Sequence, residues 1–424
     1  MYSSNSGKNT ALFLTFLFPF AGLVYTLSHW RESWAKNSFW LACIYLGAVF
    51  IFWPEGTILG IGADGGRYVL KLMEMYTSGA SFRGVLATYM LDTDTMDLYF
   101  PLVGYLVSRF TDNGHVLFMV FAMVFGFFYS RNIWFVLEKL PNKKLGALFI
   151  LVTLFFLINP ISHINGARYN TAIHIYVYAL MPYLYEKDKS KLWWLFVVPL
   201  VHFSFLYVVI MALVYILLTL RRKTVGGFYI NIALLLFVVS LFVNSLNLSS
   251  VGEVLEEYSP ETYEERIDLY VNQDVAEGVA EKAAMTNWYV GASGIIKNWC
   301  YSLLLILLYP CLRRNFKNGQ YNNLYTFALL FGAFANIMAL IPSGGRFQMV
   351  SQMFMLSLFL LIILIIPRND SFKKAMNIAL MLLIIPFVVD IRRLFDFFGI
   401  SALLGNFFTA FFWDNNVPLI RFLK

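Results

Sequence analysis

Arginine offers a planar fork of donors that stays charged at every accessible pH, and two arginines together can hold a pyrophosphate without a metal. This sequence puts such residues where leucine would cost nothing. Arg168 opens the apolar stretch GARYNTAIHIYVYALMPYLY, Arg346 follows IPSGG at the start of another, and His202 interrupts VPLVHFSF. Asp64, Arg67 and Tyr68 stand together in GIGADGGRYVL, while His163 and Asn165 precede Arg168 and Tyr169 in ISHINGARYN. Ionisable side chains in or beside lipid are expensive, so each asks for a function. One cavity that binds a phosphate would account for all of them, and Gly344 and Gly345 would let backbone amides approach the same ligand. Each residue also has a packing reading. Arg168 can snorkel to an interface, and His174, two turns into its helix, reads as a hydrogen-bonded packing residue.

The elements that must position these residues are membrane helices. The 424-residue chain is 59% hydrophobic and 13% charged, with a mean hydropathy of +0.66 and 42 phenylalanines, far from the composition of a soluble protein. Apolar runs long enough to cross about 30 Å of hydrocarbon recur throughout. They predict an all-α polytopic membrane protein of roughly ten to twelve crossings, at 10–28, 38–54, 115–137, 145–161, 168–185, 192–219, 228–246, 296–312, 322–341, 347–366 and 373–390, with a weaker run at 394–413. The first run lacks a cleavage site and reads as a retained helix. Cys43, Cys300 and Cys311 all lie in apolar runs, so neither a disulfide framework nor a zinc site is expected.

Basic loops fix the expected orientation. EKLPNKK (138–144), EKDKSK (186–191), RRK (221–223), RRNFK (313–317) and PRNDSFKK (367–374) belong in the cytoplasm. Residues 248–295 carry ten acidic side chains against two basic ones and belong outside. The chain thereby divides into an N-terminal membrane region, 1–247, with an external loop at 55–114; the acidic external loop, 248–295; and a C-terminal membrane region, 296–424. Only 192–219 breaks the alternation. Breaking this run at Pro199–Ser204 into two limbs, with His202 at an outward apex, restores it. Asp64, Arg67, His163, Arg168, His202 and Arg346 then share the outer side, as do Arg392 and Arg393.

Other signals carry less. GIGADG (60–65) matches a dinucleotide fingerprint in letters alone, since no strand precedes it. Asp92, Asp94 and Asp97 in DTDTMD could bind a divalent cation, but a solvated loop is the simpler reading. The apolar segment 98–110 is too short to cross and would lie in the interface or re-enter. In the acidic loop, Tyr258, Tyr263, Tyr270, Trp288 and Tyr289 would suit a lid stacking on sugar rings. No Walker A sequence is present, and no basic stripe with interleaved aromatics suggests nucleic acid.

Asp64 with Tyr68, Asn165 with Arg168, the His202–Phe203–Ser204 triplet within a long apolar run, and Arg346 opening a late helix together resemble the EpsG family of Wzy-like exopolysaccharide and O-antigen polymerases. That resemblance implies a membrane glycosyltransferase of GT-C type in the bacterial cytoplasmic membrane, its site facing the periplasm or exterior. It would join a glycan carried on undecaprenyl pyrophosphate to the next lipid-linked repeat unit, with no cofactor or metal. Arg168 and Arg346 would stabilise the departing pyrophosphate. His202 and Asp64 are the candidate bases. Arg67, Tyr68, Asn165, His163, Tyr169, Ser204 and Gly345 would contact substrate. Membrane lipids, a chain-length regulator and a flippase are the expected partners. A flippase or an O-antigen ligase-like transferase would need similar cations.

Overall fold

The computed structural model describes residues 2–53, 64–91, 97–140, 148–220, 224–243, 287–315, 321–341, 344–362, 370–413 and 417–422. Within them the chain is mostly helical and has no strand, and two isolated bridges tie Phe50 to Phe398 and Gly399 to Pro418. The acidic loop's Tyr258, Tyr263 and Tyr270, and Asp92 and Asp94, lie outside the described residues. Four described stretches are long and apolar enough to cross a membrane: Gly114–Leu137, Leu148–Glu186, Trp288–Pro310 and Lys373–Leu394. Shorter apolar helices pack among them. The chain is an all-α polytopic membrane protein, as its composition requires.

The run 10–28 is not one helix. Pro19 has no amide hydrogen to continue the ladder, so α1 (Tyr2–Leu17) ends at Phe18 and α2 (Pro19–Ser28) turns against it. Gly22 sits so close to the Thr15 backbone that a side chain there would collide. Ser38 of α3 (Ala35–Ala48) bonds to both Thr15 and Thr26 and pins the pair. Three helices then come from what the sequence reads as an external loop: α4 (Asp64–Thr77), α5 (Phe82–Leu91) and α6 (Tyr99–Ser108). Helix α6 buries Phe100, Pro101, Val103 and Val107, which is why its ten residues can remain apolar without crossing.

Helices α7 (Gly114–Leu137) and α8 (Leu148–Leu157) follow, and Pro160 introduces a 3-10 turn at Ile161–Gly166. Helix α9 (Ala167–Glu186) is apolar and enclosed around nearly its whole circumference, the pattern of a central helix. Within it His174 is fully buried, its Nε2 3.0 Å from the Asn159 carbonyl and its Nδ1 3.3 Å from the Asn132 amide, edge-on to Phe125. That is a satisfied packing histidine. At Lys187 the backbone turns left-handed (φ 61°), and the Lys187 and Asp188 amides close onto the last turn.

The run 192–219 is a hairpin. A rising limb comprises a 3-10 turn at Leu192–Phe196 and α10 (Val198–Val201); its Trp194 packs against Tyr178 and Phe128 halfway along the bundle. His202 is extended at the apex, and α11 (Leu206–Thr219) descends along α9. Tyr176 and Tyr183 of α9 donate to the carbonyls of Val208 and Ile216. The apex therefore stands level with the Arg168 end of α9, and Thr219 with its Glu186 end.

Five further helices are described: α12 (Gly227–Ser240), α13 (Trp288–Asn315), α14 (Asn322–Met338), α15 (Arg346–Ile362) and α16 (Asp370–Leu394). Helix α15 is as enclosed as α9 and starts from the same end. The weak run at 394–413 neither crosses nor forms an interfacial helix. It breaks into turns and a four-residue helix, α17 (Ser401–Leu404), held back on the bundle by the Phe50–Phe398 bridge. Asp396 interrupts the apolar run at the end of α16, where its carboxylate lies 3.1 Å from Arg392.

Candidate functional site

The two most enclosed helices, α9 and α15, begin side by side, with Tyr169 and Phe347 in edge contact at 6.3 Å. Their first turns carry Arg168 and Arg346. A helix start presents unsatisfied amides and a positive dipole, so a cation placed there is unfavourable unless an anion completes the arrangement. Two adjacent helix starts thus carry two guanidiniums.

The two arginines differ in their surroundings. Arg168 is committed: its Nε donates to the Tyr68 hydroxyl at 3.0 Å, and its Nη1 lies 3.1 Å from Asp97 Oδ2. Arg346 is exposed, has no acidic partner among the described residues, and rests with its guanidinium 5.5 Å from the Tyr169 ring centre. A guanidinium over an aromatic face is oriented without being neutralised. Arg346 is thus ready to receive an anion, whereas Arg168 offers what remains of its fork.

Asp97 is the residue that sequence reasoning missed. It is not solvated and does not await a cation; only 5% of it is exposed, and its other oxygen accepts from the Phe203 amide at 2.6 Å. Beside it the Leu98 amide donates to the Leu200 carbonyl at 2.9 Å. One carboxylate therefore ties α6, the start of α9 and the hairpin apex together. The signal was available: Asp97 directly precedes the buried run LYFPLVGYLV, unlike Asp92 and Asp94.

His202, at the bend between the two apolar limbs, meets the Tyr169 ring edge-on at 5.2 Å. Its Nδ1 accepts from the Ser204 backbone amide at 3.3 Å and lies 2.8 Å from the Ser204 hydroxyl. Accepting at Nδ1 places the neutral ring's proton on Nε2, which makes the free edge a donor. Burial, followed by the fields of Arg168 and Arg346, lowers the His202 pKa to about 3, so the ring is neutral at physiological pH.

Asp64 and Arg67 form an ion pair in the first turn of α4, and the Asp64 carboxylate reaches toward Gly166. Asp64 and Asp97 both act electrostatically on Arg168. Tyr68 is buried, stacked on Phe100 at 4.8 Å, and burial raises its phenol pKa, leaving a neutral hydroxyl against Arg168. Gly65 lies against Asn165 so closely that a side chain would strike the Asn165 amide oxygen, which is itself buried without a partner. The Tyr169 hydroxyl is likewise buried and unpartnered. Such orphaned polar groups beside the two arginines are available to a ligand.

Two expectations need correction. The Gly344 amide cannot serve a ligand, because it donates to the Ile341 carbonyl at 2.9 Å and the residue is packed onto the end of α14; Gly345 is open. His163 does not join the arginines. It faces the opposite side of the 3-10 turn, bonded through Nδ1 to Asn159 Oδ1 at 3.0 Å and within electrostatic reach of Lys297 and Arg393. Among the described residues, no three His, Cys, Asp or Glu side chains converge as a metal site.

Residues 48–397 match the model of the EpsG family, and the chain belongs to that family. It is thus a multi-pass membrane protein of the polysaccharide-polymerase type. No curated protein and no solved structure matches it.

Proposed function

We propose that this EpsG-family chain is a GT-C type glycosyltransferase that polymerises lipid-linked saccharide on the outer side of the bacterial cytoplasmic membrane. The donor is a glycan on undecaprenyl pyrophosphate, and the acceptor is the next lipid-linked repeat unit. The observation that carries the reading is the pairing of Arg346, which has no acidic partner among the described residues, with Arg168 at two adjacent helix starts. This is the arrangement that stabilises a leaving pyrophosphate.

An acceptor hydroxyl oxygen attacks the anomeric carbon of the donor, and the bond from that carbon to the pyrophosphate oxygen breaks. Negative charge grows on the diphosphate, where Arg346 and the free part of the Arg168 fork meet it in place of a metal. The hydroxyl proton goes to a carboxylate. Asp64 is the better base, because it is partly exposed and its Oδ2 side is turned to the start of α9. His202 instead donates from Nε2 to a diphosphate or sugar oxygen, with Ser204 fixing its tautomer. Asp97 and Tyr68 position Arg168. Asn165, Tyr169 and Gly345 line the route to the anomeric centre, and Arg67 steadies Asp64. The energy comes from the sugar–pyrophosphate bond itself, so no nucleotide is needed.

The test is a reaction of purified protein with a synthetic undecaprenyl-pyrophosphate repeat unit, without nucleotide sugar and with excess chelator, read as a ladder on a gel. The expected result is a ladder from wild type that disappears in Arg346→Ala and Asp64→Asn. Movement of lipid-linked sugar across a liposome membrane with no ladder would make the site a transport site and overturn the reading.

A further inference from the structure

A second cationic group lies across the 3-10 turn from the first. Lys297 of α13 reaches Asp390 of α16 with both carboxylate oxygens within 3.0 Å, and both side chains are largely buried. Arg392 is paired with Asp396 and lies over Tyr289. Arg393 is exposed and has no hydrogen-bond or ion-pair partner among the described residues, although it stands within electrostatic reach of Asp390 and His163. Two cations are thus matched by two carboxylates, and Arg393 is the surplus charge.

Beside this group opens an apolar cavity of about 440 Å³, within the usual size range of ligand sites. Its wall is almost wholly hydrocarbon, with Phe20, Phe39, Phe156, Ile161, Leu394 and Phe398 prominent. It runs from Leu27 and Leu137, near the Glu186 end of the bundle, to Pro160, Ile161 and Leu394, which adjoin His163 and Arg393. A long apolar slot lined at one end by Leu394, next in sequence to the exposed Arg393, is shaped for a lipid with a long tail and an anionic head.

Resting on the polymerase reading, we propose that this slot and Arg393 bind the acceptor substrate, a saccharide linked to a polyprenyl diphosphate, by its tail and its diphosphate. The reaction brings two lipid diphosphates together and cleaves only one. At the Arg346 site, a donor, a base and a free guanidinium surround the anion, as cleavage requires. At Arg393 the carboxylates are already paired and His163 is bonded to Asn159, so the head is held and not activated. The 3-10 turn at Ile161–Gly166, with His163 on one side and Arg168 just beyond it, separates the two diphosphates and brings their saccharides within reach of one another.

Equilibrium binding of radiolabelled undecaprenyl diphosphate, carrying no sugar, to the purified full chain tests the site without requiring turnover. Wild type binds two equivalents. Arg393→Gln and the slot-filling Ala402→Phe each bind one, as does Arg346→Ala, whereas Arg393→Gln with Arg346→Ala binds none. Inorganic pyrophosphate and phosphatidylglycerol fail to displace the equivalent lost in Arg393→Gln. In the polymerisation assay Arg393→Gln raises KM for the acceptor about tenfold, the loss of one charge-assisted contact, with kcat within about twofold of wild type. Arg393 is exposed, so its variant keeps the fold. Two equivalents retained by both Arg393→Gln and Ala402→Phe, a single equivalent in wild type, or displacement by phosphatidylglycerol would overturn the proposal. Two equivalents bound by a wild-type protein that builds no ladder would leave this site standing and overturn the polymerase reading.

Discussion

Asp97 and Arg168 form the joint on which the site turns, and a double-mutant cycle measures it. Asp97→Asn keeps an oxygen for the Phe203 amide but removes the charge facing Arg168. Arg168→Gln removes the guanidinium that faces the carboxylate. At the observed 3.1 Å separation, with side-chain exposures of 23% for Arg168 and 7% for Asp97, an effective dielectric near 20 gives a gross attraction of roughly 5 kcal/mol. Breaking a buried pair typically costs about 3–5 kcal/mol, and the partial exposure of Arg168 reduces this to about 2–3 kcal/mol for either single change. The double variant leaves no orphaned charge, so its loss falls below the sum of the two, with a coupling of about 1–2 kcal/mol. Unfolding of detergent-purified protein in mixed micelles gives these free energies, and the ladder assay gives the rates. Activity falls about 10²- to 10³-fold in Asp97→Asn, because the guanidinium loses the charge that holds it in place. Additive single effects, with coupling below about 0.3 kcal/mol, would show that the pair is incidental and that Asp97 does not organise the site.

Arg346→Ala should lower kcat by about 10²- to 10³-fold and leave stability within about 0.5 kcal/mol, since the side chain is exposed; a large loss of stability would mean that the residue is structural. His202, neutral because its pKa lies near 3, should contribute no limb near pH 6.5 to the pH–rate profile, and His202→Gln should lower the rate evenly from pH 6 to 8. An imidazole limb in wild type that vanishes in His202→Gln would restore the histidine as the base. Gly344→Ala should destabilise the protein by about 1–3 kcal/mol, because the added methyl meets the Met338 carbonyl at the end of α14; Gly345→Ala, with open space around it, should be nearly neutral, and equal effects at the two glycines would refute the packing argument.

Fold class was legible in the sequence because the bilayer imposes a length and a composition on whatever crosses it, and α7 and α9 show both without needing any partner. The hairpin at 192–219 could be read as well, since charge bookkeeping forbade a single crossing and Pro199 and His202 marked where it could turn. Arg168, His202 and Arg346 stood out because a charge or an imidazole in an apolar run is costly wherever the helix goes. Proximity was another matter. Asp97 looked like one carboxylate among three in DTDTMD until tertiary packing carried α6 beneath the hairpin apex and removed water from it. His163 and Arg168, five residues apart, looked like one cluster until the 3-10 turn placed them on opposite sides. Periodicity and composition report what a segment prefers on its own, but the partner of a buried charge is chosen by segments distant in the sequence, and only the packed chain brings those together.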